Sequence, residues 1–161
     1  RSFRQENTPA MDGIIDQIPS EKGTYILFLH LDTDTSIRVG KLGTFDFSAE
    51  WYAYIGSAFG RGGLRGRLKH HLRPVNKPHW HIDYLRQYAP VRETWTIVSE
   101  IVYEHRLAEL LLDIPQATIP VVGFGASDCR CDTHLLKFLT MIHCDVLDTS
   151  IADDIERISV T

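Results

Sequence analysis

Trp51-Tyr52-Ala53-Tyr54-Ile55-Gly56 puts three aromatic rings and a β-branched residue into six positions and stops at a glycine, which marks a β-strand running into a turn. Upstream, Gly23-Thr24-Tyr25-Ile26-Leu27-Phe28-Leu29-His30-Leu31 has the same texture and is closed by the turn cluster Asp32 to Asp34. Ser36 to Leu42 alternates between the two, so the three runs read as an antiparallel meander. Beyond Ser57 the texture changes. Phe59-Gly60-Arg61-Gly62-Gly63 is a loop, and Leu64 to Leu72 reads as a helix with Leu64, Leu68 and Leu72 on one stripe, ended by Pro74. Next come a short helix over His81 to Tyr88 and a strand over Val91 to Ser99. An amphipathic helix over Glu100 to Leu112, stopped by Pro115, completes the central part. Val121 to Asp128 is a glycine-rich loop, His134 to Leu139 has strand composition, and Asp145 to Arg157 is acidic with helical spacing. Residues 1–22 carry little periodicity apart from a turn of helix around Met11 to Ile18. They read as a loosely ordered leader outside the core of a single domain over residues 23–161.

The 161 residues, 43% of them hydrophobic, suit one domain with one core. No run of about 18 apolar residues is present, and no charged, apolar, small-residue leader opens the chain, so neither a membrane span nor a signal peptide is expected. The net charge of -4 excludes a protein that coats nucleic acid through a general basic excess. Any phosphate contact must be local. Three cysteines, Cys129, Cys131 and Cys144, are an odd set for a disulfide framework, which favours a reducing, cytoplasmic setting.

One local footprint exists. Residues 57 to 82 contain Arg61, Arg65, Arg67, Lys69, Arg73 and Lys77 and no carboxylate, although the chain as a whole is acidic. On a helix Arg65, Lys69 and Arg73 share an outward face suited to backbone phosphates, whereas Arg67 and His71 lie beside the leucine stripe at the edge of the core. The plainer reading is a solvated basic face. Tyr25 and Tyr54 occupy short glycine-flanked contexts, Gly23-Thr24-Tyr25 and Tyr54-Ile55-Gly56. Two phenols beside an Arg/His helix can orient or deprotonate a water, although tyrosine in a strand also simply fills a core. Glu104 projects with Leu107, Ala108 and Leu111 along an apolar helical face, where a carboxylate needs compensation. A hard divalent cation such as Mg²⁺ supplies it, and so does an ion pair with a basic residue; Glu100, one turn earlier, is the substitute candidate.

Taken in order, Gly-Thr-Tyr, Tyr-Ile-Gly, Arg67 and His71 on one helix and Glu104 on a later one resemble the GIY-YIG endonuclease superfamily. The stretch from Gly23 to about Phe138 also resembles its DUF123 branch. That likeness rests on Trp51-Tyr52-Ala53-Tyr54-Ile55-Gly56-Ser57-Ala58, on His79-Trp80-His81-Ile82-Asp83-Tyr84-Leu85, and on Gly123-Phe124-Gly125-Ala126-Ser127-Asp128-Cys129-Arg130-Cys131 followed by His134-Leu135. The resemblance implies an α+β fold, a small antiparallel or mixed sheet flanked by helices. It further implies Tyr25 as general base, Tyr54 as a positioner of phosphate or water, Arg67 as a clamp on developing charge, His71 as an aid to proton transfer and Glu104 as ligand of Mg²⁺ or Mn²⁺. The expected activity is metal-dependent hydrolysis of phosphodiester bonds in DNA or, second, RNA, with Arg61, Arg65, Lys69, Arg73 and Lys77 gripping the backbone.

Two other readings stand beside it: a nucleic-acid-binding module without efficient catalysis, and an interaction domain supported by metal. The latter would draw on Cys129, Cys131 and His134, with His143 or Cys144, as ligands of a structural Zn²⁺, against the plainer view of buried thiols in a fixed loop. Trp80 reads as core or as a stacking platform, and His79 and His81 beside it need not converge on one ion.

Overall fold

The computed structural model describes residues 9–126, 132–147 and 149–160. The fold is α+β: a five-stranded antiparallel sheet, a separate two-stranded sheet and five α-helices among the described residues. The elements run α1 (Pro9–Asp16), β1 (Gly23–His30), β2 (Thr35–Val39), β3 (Gly43–Phe47), β4 (Trp51–Ala58), α2 (Gly63–Leu72), α3 (His81–Arg86), β5 (Val91–Val98), α4 (Glu104–Leu112), β6 (Leu135–Phe138), α5 (Thr149–Ala152) and β7 (Glu156–Ser159). The sheet order is β6-β4-β1-β5-β7.

β1 is the centre of the molecule because its sequence permits nothing else. Seven of its eight residues are buried, so both faces and both edges must be covered. Only β4 and β5, each eight residues long with five of them buried, pair with it along its length. The meander expected from Gly23–Leu31, Ser36–Leu42 and Trp51–Gly56 is therefore corrected. β2 is five residues long with Ser36 and Arg38 exposed, and it turns through Gly40–Leu42 to pair with β3 in its own small sheet against α3.

Alternation along β1 sorts the core into two halves. Tyr25, Leu27 and Leu29 face α1, α2, α3 and the β2–β3 hairpin, while Ile26 and Phe28 face α4 and the C-terminal segment. Leu64, Leu68 and Leu72 are fully buried, as their spacing on α2 requires. Met11, Ile15 and Ile18 are buried in the same half, so the reading of residues 1–22 as lying outside the core fails for α1. Helical spacing over Asp145–Arg157 fails too. After the four residues of α5 the chain turns and β7 joins the free edge of β5, pairing Thr96 with Glu156 through Glu93 with Ser159. An unpaired edge of buried β5 is the cost that β7 removes. No helix among the described residues is long and apolar enough to cross a membrane.

Candidate active site

The register of β1 on β4 builds the floor of a cleft. Tyr25 lies opposite Gly56 and Leu27 opposite Tyr54, so both phenols and the glycine stand on one face at the end of the sheet. Gly56 is there because nothing larger fits: a Cβ at that position would stand 2.3 Å from the Tyr25 hydroxyl oxygen. Gly125 makes the corresponding close approach to Tyr54, with φ of +69° and a would-be Cβ 2.9 Å from the ring. A methyl group on Gly56 must push the buried Tyr25 ring away from its neighbours. Gly56→Ala is therefore expected to lower unfolding free energy by about 1–3 kcal/mol, read by thermal or urea unfolding.

Behind Tyr25 sits His71 on α2. Its Nε2 is 2.8 Å from the Tyr25 hydroxyl, and its Nδ1 is buried without a hydrogen-bond partner among the described residues. Burial holds the imidazole well below its ordinary value of 6.5, and the charges of Arg86, His70 and Arg67 push the same way. His71 is thus neutral near pH 7. Burial also raises Tyr25 well above 10, with Tyr54 adding to the rise and the charge and hydrogen bond of Arg67 opposing it. Tyr54 is raised for the same first reason, then by Glu104.

These shifts carry a stability consequence. Below pH 6.5 the unfolded chain binds a proton at His71 that the native state refuses, so native stability falls with falling pH through that range. The loss approaches about 1.4 kcal/mol per pH unit for one such group. In urea titrations between pH 7 and pH 5, His71→Leu is expected to show a flatter dependence than the wild-type chain. An equal dependence would mean that His71 takes up its proton in the native state.

Arg67 lines the cleft from α2 with its guanidinium carbon 4.6 Å above the centre of the Trp80 ring. Glu104 enters from the other side. The helix begins at Glu104, not at Glu100 as expected, because the Tyr103 backbone N–H is fastened to the Thr24 hydroxyl at the start of β1. Glu100 is exposed and outside the helix, so it is no substitute. Although Leu107 and Leu111 bury against the opposite half of the core, the first turn of α4 reaches over the sheet end and brings Glu104 into the cleft. The Ser57 hydroxyl donates to its Oε2 at 2.9 Å, and His134 Nδ1 lies 3.1 Å from Oε1. Burial raises the Glu104 carboxyl, but the hydrogen bond and charge of His134, with Ser57, win and hold it below its ordinary value.

The space enclosed is about 260 Å³. Tyr25, Tyr54, Arg67 and Glu104 border it together with Ser57, Gly125 and the residues around Trp80, and His71 lies directly behind. The family described as Domain of unknown function DUF123 matches residues 24–154, a span that contains every one of these side chains.

The chain belongs to the DUF123 family. No curated protein and no solved structure matches it.

Within the DUF123 domain several residues acquire places that their sequence context does not give them. His79 and His81, which spacing alone does not bring together, both border the cleft, and His81 Nδ1 accepts the Gly125 N–H at 2.8 Å. Ser57 is a site residue that sequence reasoning misses, although its position directly after Tyr-Ile-Gly is a signal that could have found it. Trp80 is half-buried, packs on the core and carries Arg67. His134 stands beside Glu104, while Cys129 and Cys131, its expected zinc partners, lie outside the described residues. His143 is exposed and Cys144 half-buried at the far C-terminal side.

The basic residues divide. Arg65 does not point outward to phosphate: its Nε donates to the Ile18 carbonyl at 2.8 Å and its Nη2 to that of Asp16 at 3.1 Å, closing the end of α1. Arg61 and Lys69 are exposed, Lys77 is exposed, and Arg73 is 3.5 Å from Asp12. Among the described residues one trio has metal-like spacing, His70, His71 and Asp83. The Asp83 carboxylate, however, already accepts the His79 and Trp80 N–H groups at the start of α3 and faces His70 and Arg86, so it acts as a helix cap.

Proposed function

We propose that this cleft hydrolyses phosphodiester bonds in nucleic acid, DNA before RNA, with a Mg²⁺ or Mn²⁺ ion held by Glu104. The observation that carries the reading is the convergence of a Tyr25–His71 hydrogen-bonded pair, an Arg67 guanidinium and an ionised Glu104 on one open, polar cleft. The resemblance of Gly-Thr-Tyr, Tyr-Ile-Gly and the following Arg, His and Glu to the GIY-YIG superfamily supports it independently.

Each group has a chemical part. Neutral His71 can take the phenolic proton of Tyr25 at Nε2 only transiently, as Tyr25 takes one from an attacking water, because burial disfavours the charged imidazole and returns the proton to Tyr25, and from there to solvent, once the bond to phosphorus is made. The water oxygen forms a bond to phosphorus, the ester oxygen leaves and takes a proton from solvent, and Arg67 holds the negative charge that grows on the non-bridging oxygens. Tyr54 orients the phosphate. Glu104 suits the ion: it is the one carboxylate bordering the cleft among the described residues, it is ionised, and each oxygen keeps a lone pair beyond its bond to Ser57 or His134. A single carboxylate with water and phosphate oxygens is the usual way Mg²⁺ is held, and the bound ion supplies Lewis-acid stabilisation of the leaving oxygen.

The binding-module reading is favoured by one feature, the engagement of both Glu104 oxygens within the chain. Incubation with single-stranded, duplex and branched DNA and with RNA, with Mg²⁺ or Mn²⁺, separates the two. Cutting that a chelator abolishes supports the hydrolase. Tight binding with no cutting of any substrate replaces it with the binding module.

A further inference from the structure

Beside the cleft, and sharing no residue with it, lies a larger groove of about 540 Å³ between α2 and the segment that follows it. Lys69, His70, Arg73, Lys77 and Arg86 border it, and among the described residues no carboxylate does. Lys69 and Lys77 are exposed. Arg86 is different: its side chain is 2% exposed, it is fastened to the Arg73 carbonyl through Nη2 and faces Asp83 at 3.5 Å, and its Nε finds no hydrogen-bond acceptor among the described residues. The Nε of Arg73 is equally buried and equally without an acceptor among them. Neither N–H is open to an arriving group, but the buried Arg86 guanidinium adds its charge beneath the groove, while Lys69, Lys77 and the outer end of Arg73, whose side chain is 40% exposed, present theirs to it.

The groove is not isolated. A third depression, bordered by Gly66, His70, Arg61, Arg67 and Trp80, shares Gly66 and His70 with the groove and Arg67 and Trp80 with the cleft. The three form one cationic path along α2. We propose that this groove is a second phosphate subsite, which holds the strand flanking the scissile phosphate; the proposal rests on the hydrolase reading and adds the length of substrate that it needs.

The length follows from the helix. Arg67 and Arg73 are six residues apart, about 9 Å at 1.5 Å per residue. A stacked strand advances about 3.4 Å per nucleotide, so the groove receives a phosphate about three nucleotides from the scissile one. Asp12, paired with the exposed end of Arg73, stands at the margin of the path. The continuity of the path with the cleft is what points to a polynucleotide in preference to free phosphate.

The test is a length series of single-stranded oligonucleotides bound without metal, read by fluorescence anisotropy, on the wild-type chain and on Lys69→Ala/Lys77→Ala. Both lysines are exposed and form no ion pair among the described residues, so the variant folds, which circular dichroism checks. Wild-type affinity is expected to step up once the strand spans about three nucleotides beyond the cleft, and the step is expected to vanish in the double variant. On longer strands the steepness of log K against log salt is expected to be lower in the variant by about 1.4, the share of two lysines that no longer neutralise phosphates of a single strand. A series without a step, an unchanged salt slope in the variant, or no oligonucleotide binding at all overturns the subsite. A step that the variant loses, in a chain that cuts nothing, keeps the subsite and sinks the hydrolase.

Discussion

Glu104→Gln is expected to abolish metal-dependent cleavage while leaving a folded protein that still binds nucleic acid. The amide is nearly isosteric, and its oxygen can still accept the Ser57 hydroxyl, but the charge proposed to hold the cation is gone. His134, whose side chain is 4% exposed, loses its anionic neighbour, so a stability loss of about 1–3 kcal/mol is expected as well. The two effects are separable. Cleavage at metal concentrations that saturate the wild-type chain, measured beside thermal unfolding, distinguishes a metal ligand from a structural partner of His134. A lower melting temperature with activity retained removes Glu104 from the chemistry.

Arg67→Ala is the second large effect, and here rate and affinity are expected to part. The guanidinium lies within the cleft on the Trp80 ring, and in the proposed hydrolysis it meets the charge that appears as the phosphate is attacked. Loss of one such donor costs on the order of 10²–10³ in rate. Affinity falls much less, because Arg61, Lys69, Arg73 and Lys77 remain along the path, although Arg65 is bound to α1 and adds nothing to the grip. Single-turnover rates and binding isotherms on the same oligonucleotide measure the difference. Equal losses in both make Arg67 an ordinary phosphate contact.

Strand positions are legible where apolar runs are long: β1, β4 and β5 fall within a residue or two of the boundaries that texture indicates. Pairing is not, because burial on both faces of β1, which decides its neighbours, depends on helices far away in sequence. β7 escapes a reading by periodicity because Glu156–Ser159 buries only Ile158 and owes its form to the free edge of β5. For the candidate site, the motif order that carries the family resemblance singles out Tyr25, Tyr54, Arg67, His71 and Glu104, and the fold gathers these five side chains at one cleft. The partners of Glu104 are another matter. Ser57 is 47 residues and His134 30 residues away, and only the packing of α4 across the end of the sheet brings them together. Arg65 and Arg73 look equivalent on a helical wheel, yet the carbonyls at the end of α1 claim one of them fully.

The most direct measurement is single-turnover cleavage, in Mg²⁺, of an oligonucleotide that the protein binds, run in parallel on the wild-type chain, Arg67→Ala and Glu104→Gln at concentrations that saturate each with substrate. Cutting by the wild-type chain, a rate about 10²–10³ lower for Arg67→Ala and none for Glu104→Gln is the predicted result. Three equal rates, or saturated substrate left intact by the wild-type chain, would contradict the assignment of phosphodiester hydrolysis to this cleft.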